Sequence, residues 1–285
     1  MSYQTLVSAE VLMSHLGDPN WVIVDCRFTL TDTERGRQDY RQAHIPGAVY
    51  AHLDEDLSTP HIPGSTGRHP LPSIDSLVAT FSNWGISQGV QVVAYDDDPS
   101  ASGAIAARLW WCLRWLGHDT VAVLDGGWLR WLKLGHPTQG GEERRKSRRF
   151  IPSPRPELIA SAQEVDQIRS DPAYRLVDSR SADRYRGENE TIDPVAGHIP
   201  GARSVPFVEN VGKDGLFRPK DELKARFNSL LGEVPGQNVI FYCGSGVTAA
   251  HNLVAFQHAG LGEARLYAGS WSEWIVDPSR QVARG

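Results

Sequence analysis

The sequence repeats itself once, and this repeat limits the possible folds more than any other feature. Three short motifs occur twice, in the same order: VDCR (24–27) and VDSR (177–180), HIPGA (44–48 and 198–202), and W-x-x-W (128–131 and 271–274). Such an order indicates a duplicated domain. The interval is too long for a solenoid repeat, so each copy is expected to bury its own hydrophobic core.

Short apolar runs alternate with helical patterns in both copies. The runs 21–25 and 90–95 read as buried strands, and 175–178 and 238–242 are their counterparts. Continuous apolar strands followed by helices indicate a parallel sheet covered on both faces. The predicted fold class is therefore α/β, with two tandem domains at 1–138 and 158–285. The segment 139–157 between them is rich in Pro, Gly and charge and is predicted to be an exposed linker.

Composition excludes several classes of protein. The 285 residues carry a net charge of -5, which argues against a nucleic-acid binder that neutralises phosphates. The first residues lack a basic region and an unbroken apolar run, so neither a signal peptide nor a membrane anchor is predicted. The cysteines number three, without C-x-x-C spacing, which fits a reducing compartment and predicts a cytoplasmic protein. No metal or organic cofactor is implied.

The duplication also acts as an internal control. Residues that both copies keep are expected to build the fold, and residues found in one copy are expected to serve function. This reasoning assigns structural roles to the acidic and basic residues of the V-D-x-R motifs and to the histidines of the HIPGA motifs: Asp25, Arg27, Asp178, Arg180, His44 and His198.

The two copies differ where the central strand ends. Asp96 follows the strand in the first copy, whereas Cys243 follows it in the second. A cysteine between a buried strand and a helix lies where ligands of α/β sheets bind. Backbone N–H groups of a glycine loop and the helix dipole favour the thiolate, which is the nucleophile. Cys243 is therefore predicted to be reactive, and Cys26 and Cys112 are predicted to be buried and inert.

These residues resemble the two-domain rhodanese family over nearly the whole chain. The loop CGSGVTA (243–249) and the segment AGSWSEW (268–274) resemble motifs of the 3-mercaptopyruvate sulfurtransferases. The resemblance implies two rhodanese-like domains, of which the first is an inactive copy. It also implies that Cys243 takes sulfur from a small donor as a persulfide and passes it to an acceptor. That acceptor would be a thiol, such as thioredoxin or glutathione, or cyanide.

Further roles follow from the resemblance, position by position. Ser245 and Asp54 would form a relay with Cys243, His69 would line the site, and Arg186 would bind the donor carboxylate. The rest of the loop would contact the donor: Gly244, Gly246, Val247 and Thr248. A guanidinium suits a carboxylate because it can donate two parallel hydrogen bonds. The family commonly carries a second arginine in the segment 188–197, and this chain has none there.

Two alternative functions remain open, and a phosphatase is disfavoured. A phosphatase would need an arginine in the loop after Cys243, and Ala249 stands where that arginine would lie. Thiosulfate is the alternative donor, although the uncharged loop suits a dianion poorly. A non-catalytic sulfur carrier or regulatory module is the alternative of another class, and a turnover assay would separate it from an enzyme.

Overall fold

A computed structural model describes residues 2–99 and 103–285. The described residues divide into two compact units. The first unit takes its residues from Met1–Thr59, Leu71–Arg155 and Lys213–Phe217, and the second from Pro60–Pro70, Pro156–Gly212 and Arg218–Gly285. Boundaries drawn along the chain at 138 and 158 assign the segments 60–70 and 213–217 to the opposite units. Two boundaries along the sequence cannot predict this assignment, because each of these segments packs against residues that are distant in sequence.

The first unit contains a five-stranded parallel sheet in the order β1-β5-β4-β2-β3. Its strands are β1 (Leu6–Val7), β2 (Trp21–Asp25), β3 (Val49–Tyr50), β4 (Gln91–Tyr95) and β5 (Val121–Leu124). The central strands β2 and β4 are buried along their whole length. This burial explains why they read as unbroken apolar runs instead of alternating ones.

Five α-helices belong to the described part of the first unit. They are α1 (Ala9–Ser14), α2 (Arg35–Gln42), α3 (Ile74–Asn83), α4 (Ala106–Trp115) and α5 (Gly127–Lys133). Ser8 and Ser73 begin α1 and α3, where each side chain accepts a hydrogen bond from a first-turn N–H. All ten residues of α4 are buried, including Cys112, and all but Arg108 and Arg114 are apolar.

The second unit repeats this architecture with a four-stranded parallel sheet, in the order β7-β6-β8-β9. Its strands are β6 (Arg175–Asp178), β7 (Arg203–Ser204), β8 (Val239–Tyr242) and β9 (Arg265–Leu266). Its α-helices are α6 (Ala162–Ile168), α7 (Ala182–Arg186), α8 (Lys220–Leu231), α9 (Ala249–His258) and α10 (Ser270–Trp274). Three single 3-10 turns accompany them at Pro156–Leu158, Phe207–Asn210 and Gly236–Asn238. The predicted α/β class with a parallel sheet in each copy is confirmed.

The V-D-x-R motifs have structural roles, as the internal control predicts. In the first unit, the buried Asp25 carboxylate accepts hydrogen bonds from Arg27 and from the Tyr95 hydroxyl, and the Arg27 guanidinium lies 4.6 Å from the Trp128 ring centroid. The second unit repeats the cluster: Asp178 binds Arg180, whose guanidinium lies 4.8 Å from the Trp271 ring. A buried charge pair needs such satisfied hydrogen bonds to offset its desolvation.

The histidines of the HIPGA motifs brace turns. His44 Nδ1 lies 2.7 Å from the Tyr40 carbonyl oxygen, and its ring stacks on the Tyr40 ring. His198 makes the same two contacts with Tyr185, at 2.8 Å for the hydrogen bond. Because the two histidines make the same contacts in both units, we assign them a structural role and not a catalytic one.

The predicted linker follows the surface of the first unit. Gln139 pairs with His44 through two backbone hydrogen bonds, and Ser153 N–H donates to the Leu116 carbonyl. Most side chains between these two points are exposed, as expected for a charged segment. Across residues 2–99 and 103–285, none of the helices combines the length and the apolar character needed to cross a membrane.

Candidate active site

Cys243 lies directly after β8, at the carboxyl edge of the second sheet, and its side chain is buried. The Gly246 N–H donates a hydrogen bond to Cys243 Sγ over 3.1 Å. Helix α9 begins three residues later, at Ala249. The N–H donor to the sulfur and the nearby helix amino terminus are the local features on which the predicted role of Cys243 rests. This is the surrounding that the sequence predicts for the nucleophile.

The backbone of Cys243 is held by Ser270, the first residue of α10. Ser270 Oγ accepts a hydrogen bond from the Cys243 N–H at 3.1 Å and donates one to the Tyr267 carbonyl at 2.9 Å. Ser270 has a φ of 55°, and no other non-glycine residue of the described chain has a positive φ. A serine in this strained conformation is uncommon, and strained residues concentrate at functional sites.

Two loop glycines allow close approach to other segments. Gly246 has a φ of 76°, and a Cβ at this position would lie 2.1 Å from the Ala268 carbonyl oxygen. A Cβ on Gly244 would lie 2.8 Å from Arg68 Nη2. Larger residues would therefore displace either the loop or the arginine.

His69 and Ser245 form a buried pair at the loop that follows Cys243. His69 Nδ1 lies 2.7 Å from Ser245 Oγ, and Ser245 is two residues from Cys243. His69 belongs to the segment 60–70, which is part of the same compact unit as Cys243 although it comes from the first repeat in sequence. The segment is held where the Arg68 N–H donates to Ser272 Oγ at 3.0 Å. An imidazole in contact with a hydroxyl is suited to move a proton.

Two arginines lie next to the loop, and the sequence analysis identified neither. Arg68 Nη2 approaches Gly244 as described, and Arg184 Nη1 and Nη2 lie 3.8 and 3.7 Å from the same Cβ position. Arg68 comes from the segment 60–70 and Arg184 from α7, so their proximity depends on tertiary structure. The position of Arg68 directly before His69 was the one available signal for it.

Buried carboxylates hold these arginines. Asp193 forms ion pairs with both Arg68 and Arg184, and Glu190 pairs with Arg184 at 2.9 Å. Burial alone opposes ionisation of Glu190, but hydrogen bonds from Arg184 and from backbone N–H groups outweigh it and lower the pKa of this carboxyl. Burial raises the pKa of Asp193, and the two guanidiniums oppose that rise. The segment 188–197, which lacks an arginine, thus supplies acidic partners for arginines from elsewhere.

Arg186 has a different setting from the one expected for a donor-binding residue. Its guanidinium is exposed at the surface and forms two hydrogen bonds, both 2.7 Å long, with Glu188. Residues two positions apart on a helix point in different directions, so Arg184 and Arg186 cannot both face the loop from α7. This placement does not support the expected role of Arg186.

The remaining predicted residues keep their status as predictions. Asp54 belongs to the first unit, where its backbone N–H donates to His52 Nδ1 at 3.2 Å and burial raises the pKa of its carboxyl. Val247 is buried and Thr248 is half-buried before α9. Their contacts with a donor are not tested by the fold.

In the first unit, Asp96 follows the central strand, and its side chain is bound by backbone N–H groups that come after it. The Asp96 carboxylate accepts hydrogen bonds from the backbone N–H groups of Gly103, Ile105 and Ala106, at 2.7–2.9 Å. The Asp96 carbonyl accepts from the Trp128 N–H at 2.9 Å, as the Cys243 carbonyl accepts from the Trp271 N–H at 3.0 Å. These matching contacts place Asp96 and Cys243 at equivalent positions. The first loop therefore has a fixed carboxylate where the second has a thiol.

Comparisons with known proteins show the family of this chain. The family model for the rhodanese-like domain matches twice, at residues 8–134 and 161–277. The relative named "Probable 3-mercaptopyruvate sulfurtransferase" from Pseudomonas aeruginosa is 47% identical, and the match covers 100% of both chains. The thiosulfate sulfurtransferase of Rattus norvegicus is 33% identical over 99% of this chain and 96% of its own length. The structure of 3-mercaptopyruvate sulfurtransferase from Leishmania major superposes with a TM-score of 0.82, at 30% identity over 95% of this chain and 74% of that one.

The chain belongs to the rhodanese family and contains two rhodanese-like domains. Within this family it is a sulfurtransferase, as its full-length relatives are. The predicted family, fold class and class of enzyme are confirmed.

Proposed function

We propose that this sulfurtransferase takes sulfur from 3-mercaptopyruvate onto Cys243 and passes it to a thiol or to cyanide. The observation that carries the proposal is the loop itself: Cys243 Sγ accepts a hydrogen bond from the Gly246 N–H, and the guanidiniums of Arg68 and Arg184 lie beside Gly244, the next residue. This supports a nucleophile at Cys243 with groups next to it that could bind an anionic donor. The relative from Pseudomonas aeruginosa, which is named for this donor, supports the choice.

The first half-reaction exchanges a C–S bond for an S–S bond. The Cys243 thiolate attacks the donor sulfur, and the electrons of the C–S bond move to the enolate of pyruvate. The enolate takes up a proton, and Cys243 retains the sulfur as a persulfide. In the second half-reaction an acceptor thiol attacks the outer sulfur, receives it as its own persulfide, and restores the Cys243 thiol. Cyanide would instead leave as thiocyanate.

The neighbouring side chains have distinct proposed roles. Ser245 and His69 would deliver the proton to the enolate, because their 2.7 Å contact makes a path from imidazole to hydroxyl beside the sulfur. Arg184 and Arg68 would bind the donor carboxylate near Gly244, in place of Arg186. Asp54 is retained as a proposed member of the relay on the family resemblance.

Thiosulfate is the second candidate donor, because the relative from Rattus norvegicus is named for it. Its outer sulfur could be transferred to the same thiolate, with sulfite as the leaving group. Thioredoxin and glutathione are the proposed thiol acceptors. A cytoplasmic location is proposed because all three cysteines are free of disulfides and the proposed nucleophile needs a thiol.

Turnover kinetics and intact-mass measurement test the proposal together. Donor treatment should add one sulfur to the wild type, and Cys243→Ser should show neither the added mass nor turnover. Loss of rate should be at least about 1,000-fold, as expected for a missing nucleophile. The matched control is Cys112→Ala, another buried cysteine, which should keep both signals. An added sulfur on Cys243→Ser would contradict the assignment, and a wild-type kcat/KM that favours thiosulfate at least about tenfold would replace the proposed donor.

A further inference from the structure

The charged residues near Gly244 balance one another. Three arginines and three carboxylates are joined by ion pairs in one cluster: Arg68, Arg180, Arg184, Asp178, Glu190 and Asp193. Two guanidiniums of this cluster, those of Arg68 and Arg184, also face the loop. The site thus presents cationic donors without a net positive charge.

Asp193 occupies the position that links the two loop-facing arginines. Its Oδ1 pairs with Arg68 Nη1, and its Oδ2 pairs with Arg184 Nη2 at 3.0 Å. Its side chain is only 2% exposed, and its N–H donates to Glu190 Oε1 at 3.0 Å. The carboxylate is therefore buried, with one oxygen paired to each of the two loop-facing arginines.

Arg68 has one buried N–H without a partner in the described part of the chain. Its Nε is buried and has no acceptor among the residues of 2–99 and 103–285, whereas its Nη1 is bound to Asp193. A buried N–H without a partner is costly, and an anionic ligand would satisfy it. The adjacent Asp193 charge then acts on whatever anion binds there, at short range and in a poorly solvated place.

We propose that Asp193 is a specificity-determining residue that selects sulfur donors with one negative charge over donors with two. The inference rests on the proposed function and deepens it. Arg68 and Arg184 can hold a single carboxylate while Asp193 remains paired with them. A second negative charge on the donor meets the fixed Asp193 carboxylate without a further cation to offset it, because Glu190 already pairs with Arg184. Such repulsion discriminates between ligands by charge.

The direct test replaces Asp193 with its uncharged isostere. In Asp193→Asn, the ratio of kcat/KM for thiosulfate to that for 3-mercaptopyruvate should rise about tenfold, because the dianion loses a repulsive neighbour. Glu188→Gln is the matched control, since it removes an exposed acidic charge from the same segment. The control should leave the ratio unchanged. A folded Asp193→Asn protein whose ratio stays within about twofold of the wild type overturns the proposal.

A binding measurement on the wild type does not depend on the variant folding. Methanesulfonate and sulfate present similar oxygen atoms and differ in charge, and isothermal titration gives the affinity of each. Methanesulfonate should bind more tightly to the wild type, and tighter sulfate binding overturns the role of Asp193. Because titration needs no turnover, a protein that fails to use 3-mercaptopyruvate would contradict the proposed function while the anion order still tests Asp193.

Discussion

Ser270 has a left-handed backbone conformation and is hydrogen-bonded to the backbone of Cys243. Its φ is 55°, and its Oγ accepts a hydrogen bond from the Cys243 N–H at 3.1 Å. The matching position of the first unit is Gly127, with a φ of 51°, which takes this conformation without strain. The second unit thus has a serine where the first has a glycine. The serine side chain accepts a hydrogen bond from the Cys243 N–H, which a glycine cannot do.

Ser270→Gly should therefore lower activity more than stability. Glycine relieves the strain at φ 55°, which offsets the lost hydrogen bonds, so the free energy of unfolding should change by less than about 1 kcal/mol. The Cys243 loop loses an anchor, and kcat should fall roughly tenfold, the equivalent of about 1.4 kcal/mol. Thermal melts and persulfide formation rates measure the two effects. A large loss of stability with normal kcat would show that Ser270 serves the fold alone.

His69 and Ser245 are expected to act as one unit. His69→Gln and Ser245→Ala should each lower kcat for 3-mercaptopyruvate by about 100-fold, because the enolate loses its proton path. The double variant should be little worse than either single one. The His69 variant should also flatten the pH–rate profile, which separates proton transfer from packing. Additive losses with an unaltered profile would argue against the relay.

Arg184 and Arg186 make a matched pair on one helix. Arg184→Gln should lower kcat/KM for 3-mercaptopyruvate by about 10- to 150-fold, the equivalent of about 1.5–3 kcal/mol for a hydrogen bond to a charged group. Arg186→Gln should have little effect, because its guanidinium pairs with Glu188 at the surface. The opposite result would restore the role that the family resemblance implies for Arg186.

Stability should depend on pH through Asp96. Burial raises the pKa of this carboxyl to about 7, against backbone hydrogen bonds that lower it. Between about pH 4 and pH 7 the folded state therefore binds a proton that the unfolded state has lost, so stability should fall as pH rises through this window. Asp125, whose pKa burial raises to about 6, adds to the same slope.

Asp96→Asn should reduce that slope without removing it. Denaturant unfolding at several pH values, compared with the wild type, measures the difference. The control is Asp75→Asn, an exposed aspartate of the same unit, which should keep the wild-type slope. An identical slope in Asp96→Asn and the wild type would show that Asp96 is ionised throughout, held by its backbone N–H donors.

The sequence by itself determined the architecture and singled out Cys243 as the proposed nucleophile. Strand β2 coincides with the predicted run 21–25, and β8 lies within 238–242, because buried parallel strands leave an unbroken apolar pattern. Cys243 was identifiable because its loop is local, with strand, glycines and helix contiguous in sequence. The repeat separated scaffold from chemistry, as the matching contacts of Arg27 and Arg180 show.

Only the tertiary structure decided which charged residues surround that loop. Arg68 and Arg184 are far apart in sequence, yet their guanidiniums converge on Gly244 and share Asp193. The choice between Arg184 and Arg186 depended on which face of a short helix turns to the loop, and motif spacing does not specify this. Local patterns record periodicity and backbone geometry, whereas ion pairs between distant segments form only when the whole unit has folded.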